Sequence, residues 1–357
     1  MQEHHERDEA GTPTDLDSLR ALIEERLTER LVGMHAWFRE IEPRSVDLLD
    51  LVSGLVSSGG RRIRPLLTVI SFMACGGRIG QEILDVAVSI EMLHTFALIH
   101  DDVMDSSDVR RGVRTIGAAS GNAVAILAGD LALILSDHIY WDSGFQPSAL
   151  SKAAKSIDQM RLEAIAGQYL DLKDPHAQAA KVADLKTTSY TIRGPLRVGA
   201  HLAGGSVPRS LDLFSEPLGA GFQLANDLVG LFSGPSPAQT DIAGPAKNRL
   251  FEIFYETCSD EESIANVTRV RTSAATDQAS IDLVRSAITE SGALKVALES
   301  VRSSVFRAKK ILEEHVTQFP RPTAAMMLNE IADLVLIKAV AIAASEVESP
   351  GHERRSQ

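Results

Sequence analysis

Aromatic residues are scarce in this 357-residue chain, at 5% against 44% hydrophobic content overall. Its core must therefore be built mainly from aliphatic side chains and alanine, which favours helices. Cysteine is almost missing. Cys75 and Cys258 are far apart and lack metal-type spacing, which excludes a disulfide scaffold or zinc module and leaves two ordinary buried thiols in a reducing cytoplasm as the expectation. A surplus of positive charge is missing as well: the formal net charge is −12, which argues against general nucleic-acid binding and for basic residues concentrated locally. No window reads as a transmembrane span, and the acidic N-terminus lacks the apolar core of a signal peptide, so a cytoplasmic location is expected. No Pro/Gly/Ser-rich linker divides the middle, and no internal repeat is visible. One large helical domain over 15–347 is the simplest organisation, flanked by tails at 1–14 and 348–357 with too little apolar content to pack.

Helical periodicity runs through 16–38, 46–56, 64–73, 81–105, 121–140, 150–172, 182–202, 210–232, 250–257, 280–290, 293–314 and 321–347. Gly59-Gly60, Gly76-Gly77, Asp174-Pro175, Gly204-Gly205 and the Gly234-Pro235-Ser236-Pro237 stretch punctuate these segments. The expected fold is all-α, a bundle of about a dozen helices. Residues 259–278 are polar and read as irregular. Runs such as Ala123-Val124-Ala125-Ile126-Leu127-Ala128-Gly129 allow close packing, and either a dense core or helices around a deep apolar cavity would use them.

The densest chemistry is His100-Asp101-Asp102-Val103-Met104-Asp105, followed by Arg110-Arg111-Gly112. On a helix Asp101 and Asp105 share a face and can jointly hold a hard cation such as Mg2+. Magnesium keeps only one or two carboxylates and completes its shell with water and phosphate oxygens, so a diphosphate is the natural third party. The guanidinium forks of Arg110 and Arg111 match phosphate. A solvated acidic helix end followed by a basic loop is the bland alternative. Against it, residues 90–99 are almost wholly apolar, so these carboxylates emerge from a helix that should be buried on most sides, where unpaired charge is poorly tolerated.

Gly59-Gly60-Arg61-Arg62-Ile63-Arg64-Pro65 places further guanidinium groups at a loop-to-helix junction, where free backbone N–H groups favour anions. Lys186-Thr187, Gly167-Gln168-Tyr169-Leu170-Asp171 and Phe222-Gln223-Leu224-Ala225-Asn226-Asp227 put polar groups inside apolar helices, with Asp241 and Lys247 downstream. Singly these are weak signals. Together and in this order, DDxxD, RRG, GGRRIRP, the KT pair, GQYLDL and FQ before an acidic position resemble the trans-isoprenyl diphosphate synthases, most closely bacterial geranylgeranyl and farnesyl diphosphate synthases. The resemblance spans about 16–347.

That resemblance implies an isoprenoid-synthase bundle, usually a homodimer, which condenses isopentenyl diphosphate with an allylic diphosphate. It implies that Asp101, Asp102 and Asp105 hold magnesium on the allylic diphosphate with Arg110, Lys186 and Lys247 nearby. Arg61, Arg64, His94 and Arg111 would bind isopentenyl diphosphate, and Thr187 and Gln223 would flank the reacting carbons. Asn226 and Asp227 would carry a third magnesium. The family begins that second motif with two aspartates; neutral Asn226 should weaken the site, and Gly230 stands where a further aspartate is usual. Two alternatives remain beside elongation, namely a synthase-like cyclase acting on one allylic diphosphate and a noncatalytic subunit of a heteromeric synthase. Small Ala97 beside bulky Phe96, one turn before the motif, resembles short-chain enzymes whose product stops near twenty carbons, with farnesyl second; sideways packing of Phe96 into the core is the competing reading.

Overall fold

The computed structural model describes Pro13 and residues 15–174, 178–232, 242, 248–273 and 277–347. Both expected tails, apart from Pro13, lie outside the described residues, as do Gly234, Pro235, Pro237, Asp241 and Lys247. Among the described residues the chain is almost wholly helical, as expected. The helices are α1 (Leu16–Ile41), α2 (Val46–Ser57), α3 (Ile63–Ala74), α4 (Gln81–Met104), α5 (Ile116–Ser120), α6 (Asn122–Trp141), α7 (Pro147–Lys173), α8 (Ala179–Ala183), α9 (Gly194–Leu202), α10 (Arg209–Phe232), α11 (Arg249–Thr257), α12 (Glu261–Arg271), α13 (Gln278–Glu290), α14 (Ala293–His315) and α15 (Pro322–Val347).

Helix α4 is the central element. Every residue from Ile83 to Leu93 is buried, and its side chains feed two apolar clusters, a large one shared with α3, α9, α10, α14 and α15 and a smaller one with α1, α2 and α6. Its charged groups inside the protein are paired. Asp85 accepts from Arg26 Nε and Nη2 and Arg30 Nε and Nη2 on α1, at 2.6 to 2.8 Å, and Glu91 accepts from Arg62 Nη1 at 2.6 Å. Paired in this way, these charges fix how α1 and α3 meet α4, since removing either partner would strand a charge away from water.

Four local features differ from the sequence expectations. Residues 259–278 contain α12, which the side chain of Asp260 caps by accepting from Ser263 N while Val267 and Val270, with Ile264 partly buried beside them, anchor it; one short stripe within a polar stretch is easily passed over. Helix α4 ends at Asp105, and Val109–Arg110 pairs with Val113–Arg114 as a small antiparallel hairpin. Its two-residue turn, Arg111-Gly112, has φ of 53° and 79°, the left-handed geometry that such hairpins need and that glycine supplies. Asp184–Arg193, expected as ordinary helix, is wound as a π-helix between α8 and α9. Pro195, which cannot donate to the carbonyl four residues back, stands just beyond this widened stretch. Finally, the expectation that no window approaches a membrane span is corrected. Gln81–Met104 and Asn122–Trp141 are both long and apolar enough by length and composition, with 72% and 50% of their apolar windows buried inside the protein.

Candidate active site

The end of α4 brings Asp101 and Asp105 together on one turn, with Asp105 N donating to Asp101 O at 2.8 Å. Burial first, and then the neighbouring Asp101 charge, push the Asp105 carboxyl up to about 6, against the pull of Lys186 and Arg110. The pair is short of positive charge. Lys186 stands 3.6 Å from Asp101 Oδ1 and 3.4 Å from Asp171 Oδ2. Burial opposes its charge, yet Asp101, Asp171 and Asp105 together hold its pKa above the ordinary value. Asp171 was not among the expected site residues, although the GQYLDL segment that carries it was noticed. Gly167, one turn earlier on α7, is required by this contact: a Cβ there would lie 2.8 Å from Lys186 N.

Asp102 behaves differently from its two neighbours. It is buried, and Oδ1 receives both Nε and Nη2 of Arg110 at 2.7 Å. Arg110 Nη2 is also 4.0 Å from Asp101 Oδ2. The hairpin thus swings Arg110 back onto the helix end. Arg111 turns the other way, its Nη1 donating to Gly59 O and standing 3.4 Å from Ser58 Oγ, so it closes over the Gly59-Gly60 loop.

Helix α3 begins beneath that loop. Arg62 is buried and bridged to Glu24 and Glu91, a structural pairing that leaves Arg61 and Arg64 as the cations of this corner. Arg64 Nη2 donates to Thr191 Oγ1 at 2.6 Å, its guanidinium lies 4.8 Å over the Tyr190 ring, and its Nε is buried without a partner. His94 has an unpartnered Nδ1. Burial, then Arg64, Arg111, Arg110 and Arg62, drive its pKa well below the ordinary value, so the imidazole is neutral at neutral pH. Arg61 Nη1 donates to Leu334 O on α15 at 3.3 Å. Cations and orphaned donors gathered without carboxylates of their own are the signature of an anion seat.

The second motif is joined to the first through consecutive residues of the π-helix. Lys186 reaches Asp101, while Thr187 Oγ1 donates to Gln223 Oε1 on α10. Gln223 Nε2 in turn donates to Asp227 Oδ1 at 2.7 Å, and Asp227 Oδ2 accepts from Arg249 N at 2.9 Å. Asn226 Oδ1 accepts from Lys338 Nζ on α15 at 2.6 Å. Burial, then Arg61, lower the Lys338 pKa to about 8, which leaves it an ammonium at neutral pH. Contacts therefore close a ring through α4, the π-helix, α10, α15 and α3, and Arg64 to Thr191 completes it. Phe96 and Ala97 lie on α4 one turn before the motif, partly buried, with Phe96 edge-on to His100 at 4.7 Å between ring centroids.

Residues 46–282 match the family model described as Polyprenyl synthetase. Among curated proteins, the chain is 32% identical over 285 residues to a geranylfarnesyl diphosphate synthase of Aeropyrum pernix, covering 74% of this chain and 87% of that one. It is 28% identical over 304 residues to a geranylgeranyl pyrophosphate synthase of Geoglobus acetivorans, covering 82% and 89%. Among solved structures, geranylgeranyl pyrophosphate synthase from Corynebacterium glutamicum, complexed with isoprenyl diphosphate and magnesium, superposes with a TM-score of 0.82 at 28% identity, covering 91% of this chain and 99% of that one.

Proposed function

The chain belongs to the polyprenyl synthetase family and is a trans-prenyltransferase, and from that premise we propose that it condenses isopentenyl diphosphate with an allylic diphosphate to give a short-chain product, C20 before C15. One observation carries this reading. Lys186 and Thr187, adjacent on the π-helix, tie the Asp101/Asp105 pair to Gln223 and Asp227 on α10, so both acidic motifs border one site beside an unneutralised group of arginines.

Asp101 and Asp105 fit Mg2+. They are two carboxylates on one turn, where burial and then the neighbouring Asp101 charge push Asp105 up to about 6, and no described group gathers three or more metal-ligating acidic, His or Cys side chains. Magnesium is content with such a pair when a diphosphate completes its shell, and bound there it would neutralise a leaving diphosphate. Ionising an allylic C–O bond builds negative charge on the diphosphate and leaves a delocalised cation. Arg110, held by Asp102, and Lys186 supply positive charge to the departing group. Arg61, Arg64, His94 and Arg111 seat the isopentenyl diphosphate, the unpartnered Arg64 Nε being a donor in want of an acceptor beside the equally unpartnered Nδ1 of His94. Thr187 and Gln223 flank the reacting carbons. The apolar side of α4 at Ala97 and Phe96 keeps water from the cation and receives the growing tail, and the released diphosphate accepts the proton lost on double-bond formation. Phe96, the bulkier of the two, limits the tail and sets the C20 stop.

We also propose a homodimer, a reading that the surface supports. Ile126, Leu127 and Ile134 on α6 and Leu162, Ile165 and Tyr169 on α7 are 45% to 68% exposed on neighbouring helices that Asp137 and Arg161 join. Such a concentration of exposed apolar side chains suits a second copy of the chain in the cytoplasm.

The deciding experiment incubates the protein with Mg2+, labelled isopentenyl diphosphate and, in turn, the C5, C10 and C15 allylic diphosphates. Labelled, elongated diphosphates ending at C20 are expected. A hydrocarbon or alcohol formed without isopentenyl diphosphate would instead make the chain a cyclase, and turnover only after mixing with another synthase chain would make it a subunit.

A further inference from the structure

The second acidic motif does not fit a metal site as it stands. Asn226 carries no charge, and its side-chain oxygen already accepts from the Lys338 ammonium at 2.6 Å. Both Asp227 oxygens accept protein N–H groups, from Gln223 and from the backbone of Arg249, and the residue is only 5% exposed. A magnesium ion needs near-octahedral oxygen ligation at about 2.1 Å, so one sharing the Asn226 oxygen would lie within about 5 Å of the lysine charge. Lys338 is also an exception on its own helix. It follows Leu334-Val335-Leu336-Ile337 and precedes Ala339-Val340-Ala341-Ile342, and nothing in helix packing asks for a cation there.

We infer that Lys338 is the resident cation of the second motif, placed on Asn226 so that an ammonium, in place of a metal ion, meets the substrate diphosphate on this side of the ring. Asn226 and Lys338 make chemical sense as a pair. An amide oxygen orients an ammonium by a neutral hydrogen bond and leaves its charge unspent, whereas an aspartate at 226 would neutralise it in a salt bridge. Arg61 lies near enough to lower the affinity of Lys338 for its proton while Asp227 raises it, so among the described residues two cations stand near one carboxylate and leave positive charge for an anion. Metal is then confined to Asp101 and Asp105. The inference rests on the prenyl-transfer reading in one respect, that a diphosphate enters this ring.

The test counts bound metal rather than turnover. Mn2+ is titrated into the full chain by electron paramagnetic resonance in the presence of geranyl S-thiolodiphosphate, which cannot readily ionise, and the affinity for that analogue is measured in parallel. The native chain should bind one Mn2+ fewer than the Asn226→Asp/Lys338→Ala pair. Lys338→Met, which keeps the apolar stem, should bind the analogue at least tenfold more weakly with the native metal number, and Lys338→Arg should recover most of the loss. A native chain with the same metal number as the double variant overturns the inference, as does a Lys338→Met chain that melts like the native one and binds the analogue equally well. If the native chain binds neither Mn2+ nor analogue, the prenyl-transfer reading itself falls; if it binds both but fails the count, only the role of Lys338 does.

Discussion

Replacing Asp102 with asparagine separates two roles that a motif of three aspartates runs together. Asp101 and Asp105 face the site, but Asp102 is buried and spends one oxygen on two 2.7 Å bonds from Arg110. Asparagine keeps an acceptor oxygen of nearly the same shape and loses the charge. Breaking a fully buried ion pair costs about 3–5 kcal/mol and an exposed one about 1 kcal/mol or less. Here the side chains are 6% and 27% exposed, and Asp101 at 4.0 Å remains a second carboxylate for Arg110. With the neutral hydrogen bond retained, the loss comes to about 1–2 kcal/mol. For a protein of this size that lowers the melting temperature by roughly 1–3 °C. The guanidinium also loses its anchor, so affinity for an allylic diphosphate analogue should fall about tenfold, the equivalent of about 1.4 kcal/mol. Mn2+ affinity in the presence of analogue should stay within about twofold of native, whereas Asp101→Asn should lose most of it. Thermal melts and Mn2+ titrations of the two variants side by side check this. Equal loss of metal by both variants would make Asp102 a ligand and refute the argument, and a native-like melt of Asp102→Asn would show that the Arg110 pair contributes nothing to stability.

Asp105 makes metal and proton competitors. Its folded pKa of about 6 lies above the 3.8 of an ordinary aspartate, so the metal-free fold binds this proton more tightly than the unfolded chain does, and its stability rises as pH falls from 6 towards 4. Mg2+ with diphosphate should therefore raise the melting temperature more at pH 7.5 than at pH 5, and apparent Mg2+ affinity should fall about tenfold between them; a flat response would refute it. Phe96→Ala should lengthen the product beyond C20 by mass spectrometry, and an unchanged product would mean that its edge-on packing against His100 is its whole role. If the proposed homodimer forms through α6 and α7, Ile134→Asp, on the 59% exposed position of α6, should give a monomer by light scattering where the native chain gives a dimer, and a variant mass equal to the native one would refute that interface.

The longer helices are legible in the sequence because they bury stripes that recur every three or four residues, and α4 is legible as the centre because its stripe is nearly the whole circumference. What escaped had no such period. The π-helix differs from an α-helix only in which carbonyl each N–H finds, and the sequence marks it by little more than Pro195 beyond its end. Helix α12 packs through one short stripe, Ile264, Val267 and Val270, in an otherwise polar stretch and is started by its cap. At the site, residues close together in sequence could be grouped, as with Asp101 and Asp105 or Arg61 and Arg64, because helix geometry alone sets their spacing. The family resemblance groups Asp102 with Asp101 and Asp105, and only the fold shows its carboxylate turned to Arg110. Lys338 marks the limit. A lone charge in an apolar helix announces a polar partner, and Asn226 announces a missing charge, yet they are 112 residues apart and each has many conceivable partners. Their meeting depends on how α10 and α15 cross, which is a property of the packed bundle and of neither helix. Read together they turn what looked like a weakened metal site into a site where the protein supplies the cation, and that exchange is invisible to any reading that scores the motif one position at a time.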